Sequence, residues 1–318
     1  MLSSTTLFNR LTNKVKLRHM LALVRLVDMR HMGRAAAAIG IAQPAMSQLV
    51  CDLETLLETK LFLRHAKGIE PTPIALDLAA VARRIINAVE DGTETVVAHY
   101  NGESALVRIA VTMAAFEAVL SKALPRFVTK RNQIRFQIEE VIGRRLDMSF
   151  SSGEYDLIAC RQTGVVYGGW EFLPLFKDSL AIVCGPDHPL AQKARVSEED
   201  LRDAVWLPNH VATLVRKQYE SLIKKMGWEH MNELHALSRS SEVIYAMLRN
   251  TEAISYLPES IACQWIDDGK IAKLNAPESC VCALETLGLY WRPAEAKPAI
   301  HEFLEFTQRI NKEEPCGG

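Results

Sequence analysis

The chain has 318 residues, 48% hydrophobic and 24% charged, with a formal net charge of −1. That length favours two or three domains over one small core, the composition is that of a soluble globular protein, and no stretch approaches the roughly 20 apolar residues that span a bilayer. The near-zero charge hides an asymmetry: residues 1–75 hold ten Lys and Arg against five Asp and Glu, a balance of +5 that leaves −6 for the remainder, so only the N-terminal part suits a polyanion.

In chain order, the polar stretch from Met1 to Lys16 lacks the apolar middle of a secretory signal, and a cytoplasmic location is expected. Leu17 to Met29 carries Leu17, Met20, Leu21, Leu23, Val24 and Val27 at helical spacing. Arg34 to Ile39 is nearly all alanine, which loses no side-chain entropy in a helix and lets another helix approach closely. Gly40 sits where that helix must stop and turn, and Pro44 lies just inside the next. Along this second helix Met46, Leu49, Val50, Leu53, Leu56 and Leu57 make one apolar stripe. Its other face carries Gln43, Ser47, Gln48, Asp52 and Thr55, whose first turn offers uncharged donors and acceptors suited to base edges in a major groove. The pair reads as a helix-turn-helix, with two packed helices of an ordinary α domain as the alternative. Leu61 to Thr72 then reads as a short apolar strand, a basic glycine-bearing turn and a return strand, a wing beside the second helix.

Gln43-Pro44-Ala45-Met46-Ser47, Asp52-Leu53-Glu54, Leu61-Phe62-x-Arg64 and Pro71-Thr72-Pro73 resemble, in order and spacing, the winged helix-turn-helix of LysR-type transcriptional regulators. The resemblance runs from about Lys16 to Ile310. It departs at Ala42, where a serine or threonine cap is usual, at Gln48, often arginine, and at Glu58, usually glycine. Residues 1–15 then read as an extension ahead of the family's usual start, expected to be disordered, with the true start expected later. Gln43, Pro44, Ser47 and Gln48 are the candidates for the groove, and Arg34, Arg64 and Lys67 for phosphates, with solvated wing charges as the alternative for Arg64 and Lys67. Asp52 and Glu54 are expected to be structural, because carboxylates near phosphate repel.

Thr72 is a good N-cap and Pro73 a good first helical residue for an apolar-periodic helix from Ile74 to Val97. Leu76, Leu78, Ala79, Val81, Ala82, Ile85, Ile86 and Val89 could pack on the same helix of a second chain, as the resemblance implies, or within their own chain. Asn101-Gly102-Glu103-Ser104 reads as a break. Beyond it strands alternate with helices: a strand at Leu106–Val111, a helix at Phe116–Lys130, a strand at Ile134–Val141, a helix at Arg144–Ser151 and a strand at Tyr155–Cys160 predict a parallel sheet flanked by helices. A second unit follows, entered by one long strand from Leu173 to Gly185 and containing a capped helix from Ser197, helices at Leu214–Met226 and Ser241–Arg249, and a strand at Ala253–Leu257. Leu284–Trp291 reads as a return strand and Ala299–Ile310 as a closing helix.

The expected architecture is therefore α/β, with an extension over 1–15, a winged helix-turn-helix over 16–73, a linker helix over 74–100 and a two-lobed effector domain over 104–312 that resembles a periplasmic binding protein. Lobe I spans about 104–174 and 281–312, and lobe II about 175–280. By family position the effector candidates are Thr112, Met113 and Ala114, where a helix N-terminus could receive a carboxylate, Arg161 as an anion partner, and the polar loop of Asn209, His210 and Thr213. The alternatives are that Thr112 caps its helix and Arg161 pairs with an acidic neighbour.

No Gly-x-Gly-x-x-Gly, phosphate loop, Gly-x-Ser-x-Gly or His-Glu-x-x-His motif occurs, so no catalytic role, cofactor or metal is expected. The seven cysteines lack metal or disulfide spacing, and alternation along a strand points Cys280 and Cys282 to opposite faces. The expectation is a homo-oligomeric regulator, a dimer of dimers on an interrupted palindrome of double-stranded DNA, modulated by a small-molecule metabolite, with RNA polymerase a further candidate contact and no membrane. The alternative is a constitutive DNA-binding repressor or architectural protein without a ligand.

Overall fold

Apolar periodicity at the start of the chain becomes four helices, α1 (Ser4–Lys14), α2 (Leu17–Met29), α3 (Met32–Ala38) and α4 (Gln43–Leu57), then the antiparallel strands β1 (Phe62–His65) and β2 (Gly68–Pro71), and a long helix α5 (Pro73–Asn101). The computed structural model describes residues 3–65, 68–101, 105–210, 213–228, 231–238 and 240–314. The chain divides into two units. One comprises Met1–Arg108 with Gln133–Gln137 and Ile142–Asp156, and the other comprises Ile109–Asn132, Ile138–Val141 and Leu157–Gly318.

In the first unit Leu26, Ala35, Met46, Leu53 and Leu61 form one core with Ala75 and Ala79 of α5. Each buried Leu or Met contributes about 1.5–3 kcal/mol. Ala35 and Ala36 are buried where α3 meets its neighbours, as their small size requires. Gly40 ends α3 at φ +69°, and the Ile41 N–H returns to the Ala36 carbonyl at 3.0 Å. The turn needs this left-handed backbone, which glycine adopts without strain. The described residues of the extension carry a helix: Ser3 caps α1, which packs on α4 with Arg10 paired to Glu58.

α5 has two apolar stripes. Ala75, Ala79 and Ala82, with Leu78 and Ile86, face α2 and the core, and Arg83 pairs with Asp28 across that contact. Ile74, Leu76, Val81, Ile85, Val89 and Val97 are each about half exposed, between 41% and 52%.

Then follow β3 (Ala105–Val111), α6 (Met113–Ala115), a π-turn (Phe116–Leu120), α7 (Ala123–Lys130), β4 (Ile134–Glu140), α8 (Arg144–Ser152), β5 (Leu157–Arg161), β6 (Glu171–Phe176) and β7 (Ser179–Cys184). The chain continues through α9 (Glu198–Asp203), β8 (Val205–Trp206), α10 (Leu214–Met226), β9 (Asn232–Glu233), α11 (Ser241–Asn250), β10 (Ala253–Pro258) and α12 (Glu259–Asp267). It ends with β11 (Ala272–Lys273), β12 (Cys282–Ala283), β13 (Leu287–Trp291) and α13 (Pro298–Glu313). Of these elements α8 belongs to the first unit, where it packs on α5 and the Asn87 amide donates to the Ser152 carbonyl at 3.3 Å.

One sheet runs β4-β3-β5-β13-β6, and the other runs β11-β7-β10-β8-β9 with β12 also beside β7. The expected parallel sheet is corrected to mixed ones. β3 is parallel to β5, and β10 to β8, but β13 returns antiparallel to both β5 and β6, and β7 lies antiparallel to β10. The long strand expected from Leu173 to Gly185 is two strands in different sheets, parted at Lys177 and Asp178. The helix expected at Phe116–Lys130 is also broken, because Pro125 lacks an N–H and its ring clashes with the carbonyl four residues back, at Ser121. Trp206 anchors the second sheet, its ring 5.0 Å from Tyr219 and 5.8 Å from Tyr256, with Nε1 donating to the Leu201 carbonyl at 2.7 Å. In the first sheet Gly288 admits no side chain, since a Cβ there would stand 2.1 Å from the Leu173 carbonyl oxygen. Among the described residues no helix is long and apolar enough to cross a membrane.

Candidate functional site

The first turn of α4 projects from the core while the rest of the helix is pinned to it. Gln43, Pro44, Ala45 and Gln48 are exposed and Ser47 half-buried, whereas Met46 is fully buried between them. Ala42 supplies no side-chain cap, so the N-terminal N–H groups of α4 keep their donor capacity. The Gln48 amide donates to Asp52 Oδ1 at 2.7 Å, one turn along the same face. Asp52 also lies 3.8 Å from Nε2 of the buried His19, whose Nδ1 accepts the Lys16 N–H at 2.9 Å.

Glu54 ties this helix to the wing. Its Oε1 accepts the N–H groups of Leu61 at 2.9 Å and Phe62 at 3.2 Å, and its Oε2 takes the Lys60 ammonium at 2.7 Å. Burial alone would raise its pKa, but the Lys60 ammonium and the two N–H donors outweigh that and hold the carboxyl below its usual value. At the other end of the wing the Thr72 hydroxyl donates to the Leu61 carbonyl at 3.0 Å. Of the three cations expected near phosphates, Arg34 is exposed at the start of α3 and donates to the Met29 carbonyl at 3.0 Å. Arg64 lies on β1 opposite Ile69, and Lys67 falls outside the described residues. An uncharged helix start beside a two-stranded ribbon can read base edges with the first and contact backbone with the second.

In the second unit a cavity of about 380 Å³ opens where β3 ends. Val111, Met113, Phe116 and Ile138 give it one apolar wall, and Ile261 and Trp265 of α12 another. Its polar groups are Gln264, Ser241 and three carboxylates, Glu117, Glu140 and Glu242. Burial and the Glu242 charge both raise the Glu117 pKa. No lysine, arginine or histidine lines the cavity among the described residues.

Of the residues expected at the effector, Met113 alone is among the described residues that line this cavity, with Thr112 and Ala114 as its chain neighbours. Thr112 precedes α6 but makes no side-chain cap, and its hydroxyl lies 3.4 Å from the Ala159 carbonyl. Arg161 makes the alternative contact expected of it, with an acidic neighbour. Its guanidinium is bound to the buried Asp178 carboxylate and to the Glu285 carbonyl. Asp178 also accepts the Ser260 hydroxyl at 2.7 Å and the Ser260 N–H at 3.1 Å, so Arg161 belongs to a buried knot at the parting of β6 and β7. The Asn209 amide is buried and donates to the Tyr256 carbonyl at 2.9 Å. Thr213 caps α10, accepting the Arg216 N–H at 3.2 Å and donating to the His210 carbonyl at 2.7 Å. Asn209, His210 and Thr213 are not among the residues lining the cavity.

Two family models match the chain. "Bacterial regulatory helix-turn-helix protein, lysR family" covers residues 17–76, and "LysR substrate binding domain" covers residues 101–311. The chain belongs to the LysR family. Like its relatives, this LysR-type protein is a DNA-binding transcriptional regulator with a substrate-binding domain, and not an enzyme. Among curated proteins it is 25% identical to the HTH-type transcriptional regulator GbpR of Azospirillum brasilense, over 87% of this chain and 81% of that one. Among solved structures it has the fold of full-length OxyR from Pseudomonas aeruginosa, with a TM-score of 0.63, 23% identity and coverage of 93% and 95% of the two chains. It matches full-length CbnR complexed with its target DNA equally well, with a TM-score of 0.63, 18% identity and coverage of 93% and 100%.

Within this LysR-type chain the residues that escaped sequence reading are the ones that meet only through the fold. Glu117, Glu140 and Glu242 lie on three separate elements, and no local spacing links them. A faint signal existed for Glu242, since Ser240-Ser241-Glu242 is a plausible helix start, and Ser240 does cap α11.

Proposed function

We propose that the protein is a ligand-responsive regulator that binds an interrupted palindrome as a dimer of dimers in the cytoplasm, with RNA polymerase a further contact. Gln43, Pro44, Ser47 and Gln48 read bases, while Arg34, Arg64 and Lys67 hold phosphates. The observation that carries this reading is the exposed, uncharged first turn of α4, fixed to its wing through Glu54. The exposed stripe of α5 supports pairing of two chains, since an apolar row on so long a helix is costly to leave in water. The cavity at the end of β3 is the effector site, with Met113, Thr112 and Ala114 at one edge and with Arg161, Asn209, His210 and Thr213 outside the ligand's reach. A ligand that prefers one arrangement of the oligomer shifts the population and so the promoter contacts.

The test is genome-wide occupancy followed by footprinting at the strongest site, with and without metabolites of the adjacent genes. Discrete interrupted palindromes with a footprint that changes with one metabolite are expected. Gln43→Ala should weaken that site by about 1–3 kcal/mol while leaving non-specific binding intact. Diffuse, sequence-independent occupancy would sink the proposal.

A further inference from the structure

The cavity at the end of β3 has a size suited to a small molecule, and its lining among the described residues combines six apolar residues with five polar ones. The sign of those groups is the informative feature. Three of them are carboxylates that share this one cavity, Glu117 half-buried and Glu140 and Glu242 exposed, and burial and the Glu242 charge both raise the Glu117 pKa.

A helix N-terminus ordinarily invites an anion. Here that place is taken. Glu242 stands in the first turn of α11, where its Oε2 accepts the Ser240 hydroxyl at 3.1 Å and the Ser241 hydroxyl at 3.5 Å, and the Ser240 hydroxyl takes the Val243 N–H. An anionic ligand would enter a cavity whose helix start already holds a carboxylate and whose lining carries two more. Among the described residues no cluster of His, Cys, Asp and Glu is placed to hold a metal ion, which leaves an organic cation as the complement. The aromatic wall fits the same class. Trp265, its ring 5.3 Å from that of Tyr245, brings to the lining an indole, the ring type that best attracts ammonium and guanidinium groups.

We propose that the effector is a small organic cation, an amine or amidine on an apolar body, with its charge between Glu117 and Glu242 and its body against Phe116 and Trp265. This rests on the reading of the cavity as the effector site.

The experiment is calorimetric titration of the full-length protein with butylamine, 2-phenylethylamine, putrescine and agmatine, set against butyrate, phenylacetate and succinate. Binding of at least one amine and of no carboxylate is expected. Glu117→Gln and Glu242→Gln, which keep the shape and remove the charge, should each weaken that binding about tenfold. Binding of a carboxylate at the cavity, failure of every amine, or amine binding that survives both substitutions would each overturn the cation. A footprint with the bound amine tests the other premise separately. An unchanged footprint on occupancy removes the effector reading and leaves the charge preference, while a footprint that responds only to carboxylates keeps the reading and removes the cation.

Discussion

Glu54 is where one side chain decides how a domain holds together. Its carboxylate has a side-chain exposure of 11% and receives two backbone N–H groups that begin the wing, so it is worth most when ionised. Its pKa in the folded state lies below the ordinary 4.5, and the stability it contributes is therefore fully present above 4.5 and is lost as pH falls from there through the depressed value. Glu54→Gln should lower unfolding free energy by about 1–2 kcal/mol at pH 7, with the difference vanishing in acid, as urea melts across pH would record. Glu58 is the opposite case. It closes α4 at φ +53°, a conformation that costs a non-glycine residue about 1 kcal/mol, and its exposed pair with Arg10 returns less than that. Glu58→Gly should stabilise the protein, and by more in an Arg10→Ala background, where no ion pair is lost. Both residues were legible in the sequence, Glu54 as structural and Glu58 as a departure from glycine, because each acts within a few residues of its own position. The Arg161 and Asp178 pair was legible only as an alternative, since nothing local marks the carboxylate that claims the guanidinium.

At the scale of elements, periodicity predicted α5 as a helix but did not separate its two stripes. Eight residues from Leu76 to Val89 read in the sequence as one apolar set. In the fold Ala79 and Ala82 go inward with Leu78 and Ile86, and Val81, Ile85 and Val89 go outward. A helical pattern records which positions are apolar, and the neighbour that covers each is settled by packing. The division has a measurable outcome. Ile85→Glu and Val89→Glu should reduce the particle mass seen by light scattering while leaving the melting temperature of the chain nearly unchanged. Ala79→Glu, which drives a charge into the α2 contact, should instead unfold the first unit. α7 makes the complementary point, because Pro125 was in plain view and the expected helix ran through it. A proline lies comfortably in a first turn, so the chain stops and restarts around it.

For the whole molecule, the alternation of strands and helices announced an α/β protein, and the strand directions did not follow from it. The chain crosses between sheets and comes back, and β13 returns antiparallel between β5 and β6. The crossing at Lys177 and Asp178 is held by the buried Asp178 carboxylate, which binds Arg161 and Ser260 at once. Asp178→Ala should cost about 3–5 kcal/mol in denaturant melts, because it leaves the guanidinium with the Glu285 carbonyl but no counter-charge and leaves the Ser260 N–H and hydroxyl without their acceptor, whereas Arg161→Ala and Asp178→Ala together should cost less than the sum of the two.

Gly92 lies inside α5 at a point where an added Cβ would meet nothing within 4 Å. No neighbour within this chain requires a glycine there among the described residues. Alanine would strengthen the helix by about 0.5–1 kcal/mol, so the natural residue keeps a spring in a rod about 43 Å long. In mechanical language, α5 is a strut whose weakest interior link by helix propensity is Gly92. If a ligand's effect travels along this strut, Gly92→Ala should give a regulator that survives higher temperature and answers its ligand less, an exchange visible by melting and footprinting the same preparation.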